Sequence, residues 1–157
     1  MIEAELRVPR WAEVVTFVLS LIGLGLSIYL TVAHFQGAQI LACSDSGFIN
    51  CAKVTTSAQS AFLGIPVAIL GLASYTAMAV INSPWAWHAP WRWLHVTRFI
   101  LAIGSMGFVL WLLYAEFIII NSICLYCTAV HVTSFLLLIV LTIVSPTQLG
   151  WTRSGAR

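Results

Sequence analysis

Four apolar stretches, each about twenty residues long, constrain this chain more than any other feature. They run over about 14–35, 62–81, 98–120 and 123–144. Roughly 20 apolar residues carry a helix across a bilayer. Lipid offers no hydrogen bonds, so the backbone must satisfy its own polar groups inside each helix. Of the 157 residues, 61% are hydrophobic and 8% charged, where soluble domains carry about a quarter charged. The pattern predicts an all-α membrane protein, one domain over 1–157, folded as a four-transmembrane-helix bundle. The first stretch is too long for a signal-peptide core and has no small-residue cleavage site after it, so it reads as a retained span. Gly23, Gly25 and Ser27 in the first span, and Gly104, Ser105 and Gly107 in the third, offer small surfaces for close helix contact. Pro66 is expected in the first turns of the second helix, where a missing N–H matters least. Pro146 is expected to stop the fourth.

Charge sets the expected orientation. A head (1–13), a middle loop (82–97) and a tail (145–157) share one side if the spans alternate. These segments and their flanks hold Arg7, Arg10, Arg92, Arg98, Arg153 and Arg157, whereas the long loop 36–61 and the turn 121–122 hold only Lys53. Six basic residues against one puts both termini in the cytoplasm. Trp85, Trp87, Trp91 and Trp93 then suit an inner interfacial belt. The net charge of +2 is small and scattered, which speaks against nucleic acid as a partner.

All four cysteines fall near the outer, extracytoplasmic face. Cys43 and Cys51 lie in the long loop, in CSDSGFINC, and Cys124 and Cys127 open the fourth span, in NSICLYC. Disulfides persist outside the cytoplasm. If Asn121 or Ser122 caps the last helix, Cys124 sits in its first turn. Free N–H groups and the helix dipole there favour a thiolate. Residues three apart share a face, so Cys124 and Cys127 can bond to each other. Between the loop cysteines, Ser44, Asp45, Ser46, Gly47 and Asn50 give turn-forming freedom. Two static disulfides, a zinc site and a redox relay remain open; reactive thiols at a helix start favour the relay.

A relay needs a terminal acceptor, and the chain carries no nucleotide fingerprint and no intramembrane histidine pair at haem spacing. A quinone fits, because it takes the two electrons and two protons that a dithiol releases. His131, four residues beyond Cys127 on the same face, can hydrogen-bond a quinone carbonyl or move a proton. Glu116 is the acidic residue well inside a span, and such residues face a cavity or a partner; snorkelling to the nearby surface is the alternative. Ile120, at the outer end of the same span, is a further expected contact.

The arrangement resembles the vitamin K epoxide reductase family. NCAKVTTSAQSAFLGIPVAILGLASY (50–75) is similar to the family's bacterial stretch, with a loop Cys, Lys-Val, Ser/Thr and a Gly-x-Pro segment, and ICLYC is similar to its catalytic pair. The likeness runs from the first helix to the fourth. It implies an outer loop capping a quinone pocket, with a menaquinone- or ubiquinone-type cofactor. It also implies catalytic roles for Cys43, Cys51, Cys124 and Cys127. Cys43 would exchange with a separate extracytoplasmic thioredoxin-like protein, since the chain ends at Arg157 without a fused domain. Cys51, bonded to Cys43 at rest, would pass the exchange to Cys124, and Cys127 would reduce the quinone. Thr56 or Ser57 would match the family's Ser/Thr, and Gln59 or Ser60 its quinone-facing asparagine. His131 stands where the vertebrate enzymes have tyrosine, which suits simple quinone reduction better than epoxide reduction. The implied activity is quinone-linked disulfide formation at a bacterial plasma membrane. Vitamin K quinone or epoxide reduction, and a non-enzymatic four-span protein with two fixed disulfides, are the alternatives.

Overall fold

The computed structural model describes residues 9–43 and 47–148; Arg7, Ser44, Asp45, Ser46, Arg153 and Arg157 lie outside them. The first apolar stretch folds as α1 (Arg10–Gln36). A 3-10 turn over Ala38–Ile40 leads to a five-residue helix, α2 (Cys51–Thr55), and a second 3-10 turn over Ala58–Ser60. A two-stranded hairpin follows, β1 (Ala61–Phe62) and β2 (Ile65–Pro66), then α3 (Val67–Ile81) and a short α4 (Pro84–His88). Helix α5 (Arg92–Tyr114) continues into a π-helical segment over Ala115–Ile120, and α6 (Leu125–Gln148) completes the order. α1 packs on both α3 and α6, and α5 packs on α6.

Among the described residues, three helical segments are long and apolar enough to cross a membrane: Arg10–Gln36, Trp93–Ile120 and Leu125–Val144. The second apolar stretch differs from expectation. Its helix starts at Val67, and Ala61 to Pro66 form a hairpin with Ala61 opposite Pro66 and Phe62 opposite Ile65. The reason lies in the turn: Leu63 and Gly64 both take positive φ, 53° and 81°, the conformation a two-residue hairpin connection requires. Pro66 therefore precedes the helix instead of sitting in its first turns. The third helix begins six residues before the expected 98, and the fourth runs through Pro146 to Gln148. Pro146 removes one i→i−4 bond, but only two helical residues follow it, so the loss is confined to the end of α6.

The end of the bundle where α3 meets α4 is closed by a polar network around Arg98. Its guanidinium donates to the Ile81 carbonyl at the end of α3, meets His95 Nδ1 at 2.9 Å and lies 3.7 Å from the Trp87 ring centre. The side chain is 1% exposed, so this arginine satisfies an orphan helix-end carbonyl and stacks on an aromatic face. Trp87 is consequently a core residue at 4% exposure, unlike the exposed Trp85, Trp91 and Trp93. Its Nε1–H donates to Thr16 Oγ1, and Asn82 Nδ2 donates to Ser20 Oγ, tying the end of α3 to α1.

Midway along the bundle, α1, α3 and α6 meet at Tyr75. Its hydroxyl donates to the Val130 carbonyl at 2.9 Å and contacts Thr133 Oγ1 and Ser134 Oγ at 2.6 and 2.8 Å. The ring lies against Gly23, where an added Cβ would overlap it, whereas a Cβ on Gly25 would meet nothing within 4 Å. Gly23→Ala is expected to lose about 1–3 kcal/mol through overpacking, read as a lowered thermal midpoint in detergent. Gly25→Ala should hold or slightly raise the midpoint, and equal behaviour of the two would refute this packing account.

Candidate functional site

The end of the bundle opposite Arg98 gathers the four cysteines around one core cluster. Cys51 and Cys124, 1% and 0% exposed, belong to it with Leu30, Ala33, Leu41, Val54, Ala115 and Ile120, and Cys43 and Cys127 pack against it. What brings the two cysteine segments together is a parallel bridge between Ile49 and Ile123. Ile123 N–H donates to the Phe48 carbonyl at 2.9 Å, and Asn50 N–H donates to the Ile123 carbonyl at 3.0 Å. Asn50 then caps α2, its Oδ1 accepting from Lys53 N–H at 2.7 Å. That capping bond starts the helix, so Cys51 is held on an ordered element and not in a swinging loop.

Cys43 and Cys51 form a disulfide with Cα atoms 6.0 Å apart, while Cys124 and Cys127 are free thiols. The helix start differs from the expected one. Asn121 adopts the left-handed conformation, φ 51°, and closes the π-helical segment, with its N–H on the Glu116 carbonyl. Ser122 donates its hydroxyl to the Asn121 carbonyl, so neither residue caps α6. Cys124 takes that place: it precedes the first residue of α6, and its Sγ accepts from the Cys127 N–H at 3.4 Å. The sulfur thus stands where a capping oxygen would, facing the dipole-positive end of the helix. In this connection between spans, the Cys124 thiol is held below the ordinary thiol range. A hydrogen bond from the Cys127 thiol is the main cause, helped by the N–H groups of Cys127 and Tyr126.

Below Cys127 lies a cavity of about 510 Å³, within the usual range for a small-molecule site. Glu116, Ile120, Cys127, His131 and Ser60 all line it, together with apolar residues of α3 and α5. Glu116 is 3% exposed and does not snorkel. The widened turn of the π segment, a form common at functional sites, carries it on the cavity wall. Among the described residues, two buried polar atoms of this wall have no hydrogen-bond partner: Glu116 Oε2 and His131 Nδ1. Buried polar groups are normally paired, so both are free to meet a ligand. Ser57 and Gln59 also line the cavity, whereas Thr56 does not. Thr55 and Ser134 line it as well and were missed, as small polar residues whose direction no local pattern reveals. Among the described residues, no group of three or more His, Cys, Asp or Glu side chains is placed to hold a metal ion.

A dithiol at the wall of a largely apolar cavity, with a disulfide packed on the same core, can pass electron pairs between a thiol partner and a lipid-soluble oxidant. Comparison with protein-family models agrees with this chemistry: the model described as the vitamin K epoxide reductase family matches residues 14–142.

Proposed function

The chain belongs to the vitamin K epoxide reductase family, and from that premise we propose that it is a quinone-linked thiol–disulfide oxidoreductase that supports protein disulfide formation. The family makes it a multi-pass membrane oxidoreductase acting with quinone. In the proposed arrangement α1, α3, α5 and α6 are the four crossings. Both termini are cytoplasmic and the cysteines face the extracytoplasmic side of a bacterial plasma membrane. The partner is a separate thioredoxin-like protein.

The observation that carries the reading is the pair of unpartnered buried atoms, Glu116 Oε2 and His131 Nδ1, on the wall that also bears Cys127. A quinone ring presents two oxygens that need partners once it leaves water. His131 would donate to one of them, and Glu116 would accept the Cys127 proton. Ser60 and Ile120 would flank the ring. A quinone with a long isoprenoid tail, of menaquinone or ubiquinone type, matches the apolar remainder of the lining.

Exchange runs inward by thiolate attack on disulfide sulfur. A partner thiolate attacks Cys43, and the Cys51 thiolate leaves with the electron pair. Cys51 attacks Cys124 of the oxidised inner pair and releases the Cys127 thiolate. The second partner thiol resolves the bond at Cys43 and frees the Cys43 thiolate, which attacks Cys51 and expels the Cys124 thiolate, leaving a Cys43–Cys51 disulfide and an inner dithiol. That dithiol closes to a disulfide as two electrons and two protons pass to the quinone, which departs as quinol. The lowered pKa of Cys124 suits it both to leave and to close the bond.

Anaerobic titration of the purified protein with a reduced thioredoxin-like protein and a short-chain quinone tests the whole. One quinol should appear, by absorbance, for each partner disulfide formed. Thiol oxidation without quinol would end the proposal.

A further inference from the structure

The peptide immediately before Cys43 is gripped by two phenols from different helices. Tyr29, on α1, donates its hydroxyl to the Ile40 carbonyl at 2.7 Å and accepts from the Ala42 N–H at 3.3 Å. Tyr126, on α6, donates its hydroxyl to the Ala42 carbonyl at 3.2 Å. The two rings meet edge to face, with centres 4.9 Å apart. Cys43 N–H then closes a tight turn onto the Leu41 carbonyl at 2.8 Å.

Burial does not require this grip. Ala42 is exposed, so water would satisfy its N–H and C=O equally well. What the phenols add is position. Disulfide exchange needs attacking, central and leaving sulfurs nearly in line. Cys51, the leaving sulfur, is fixed by α2 and buried at 1% exposure, whereas Cys43 is half-buried and reachable. The seat of Cys43 therefore decides whether an incoming thiolate meets the bond along its axis. Tyr126 also lies between Cys124 and Cys127 in sequence, so the helix turn that carries the inner dithiol holds the outer cysteine as well.

We propose that Tyr29 and Tyr126 are positioning residues for thiol exchange, holding Cys43 so that a macromolecular thiol attacks its sulfur and expels Cys51. The inference rests on the exchange reading above. In the balanced step, the partner–Cys43 bond forms as the Cys43–Cys51 bond breaks. The electron pair goes to Cys51, and the proton of the partner thiol is lost to water before attack.

The test uses the full chain in detergent, with Tyr29→Phe, Tyr126→Phe and the double variant. The probe is a reduced thioredoxin carrying a single cysteine, which stops at the mixed disulfide. Each single variant should form it about tenfold more slowly, through the loss of one phenol's hydrogen bonds to the segment before Cys43. The double variant should lose little more, because the phenols act as a unit. Mass mapping should find the thioredoxin on Cys43 alone in the wild type and divided between Cys43 and Cys51 in the variants. Tyr29→Phe, which loses only a hydroxyl aimed at the segment before Cys43, should keep the wild-type rate of quinol formation when dithiothreitol, which needs no macromolecular docking at Cys43, is the donor. An unchanged rate and attachment site would overturn the proposal. So would a general loss in which thioredoxin and dithiothreitol reactions slow together with a falling thermal midpoint, which marks a structural role. Failure of the exchange reading looks different: the wild type itself would form no mixed disulfide at Cys43.

Discussion

Cys127→Ser should accumulate a Cys51–Cys124 disulfide and make no quinol. The Ile49–Ile123 bridge places both segments in one core cluster, and Cys124 is the thiol disposed to ionise. Without Cys127, the Cys124 thiolate attacks Cys51, Cys43 leaves, and no second inner thiol remains to undo the bond. Quinol formation should fall roughly 10⁴-fold or more, as when an indispensable nucleophile is removed. Non-reducing peptide mapping would show the cross-link. Cys124→Ser should show none, since its remaining inner thiol, Cys127, lies on the cavity side. Equal loss of folded protein in all four single serine variants would instead mark the cysteines as static braces.

Glu116→Gln should slow quinol formation about 10²-fold, the usual contribution of a positioned proton acceptor, while the protein keeps its thermal midpoint. The amide fills the same space and can hydrogen-bond, but it cannot take a proton from Cys127. Stopped-flow quinone absorbance on the pre-reduced protein isolates this step from partner exchange. Glu116→Asp should recover part of the rate. A Gln variant at full speed would remove the carboxylate from the proton path and leave it a packing role.

The features legible in the sequence were those written in local composition. Apolar runs gave three long helices and most of a fourth, and Cys-x-x-Cys beside a second cysteine pair pointed to the oxidoreductase family that the comparison matches. Helix ends were less legible. Phe62, Leu63 and Ile65 are as apolar as the helix that follows them, so nothing but Gly64 signalled a hairpin. Asn121 looked like a cap because asparagine caps helices often, but it also tolerates the left-handed conformation and was used for that. The π-helical turn at Glu116 depends on which carbonyl each N–H chooses, a contest decided by packing. Trp87 could not be separated from its exposed neighbours, because its inward turn depends on Arg98, eleven residues further on. The Ile49–Ile123 bridge joins segments over seventy residues apart, beyond any local pattern.

The fifteen residues of α3 reach about 22 Å at 1.5 Å per residue, against roughly 30 Å of hydrocarbon. As one of the proposed crossings, it meets a hydrophobic mismatch of about 8 Å that its companions do not share, and a short segment is accommodated by local thinning of the bilayer. Headgroups and water are thereby drawn down beside the hairpin and Phe62, at the rim of the cavity. A guest with a polar ring and a greasy tail would find a shallow berth there, its head near the aqueous boundary and its tail trailing sideways among the acyl chains.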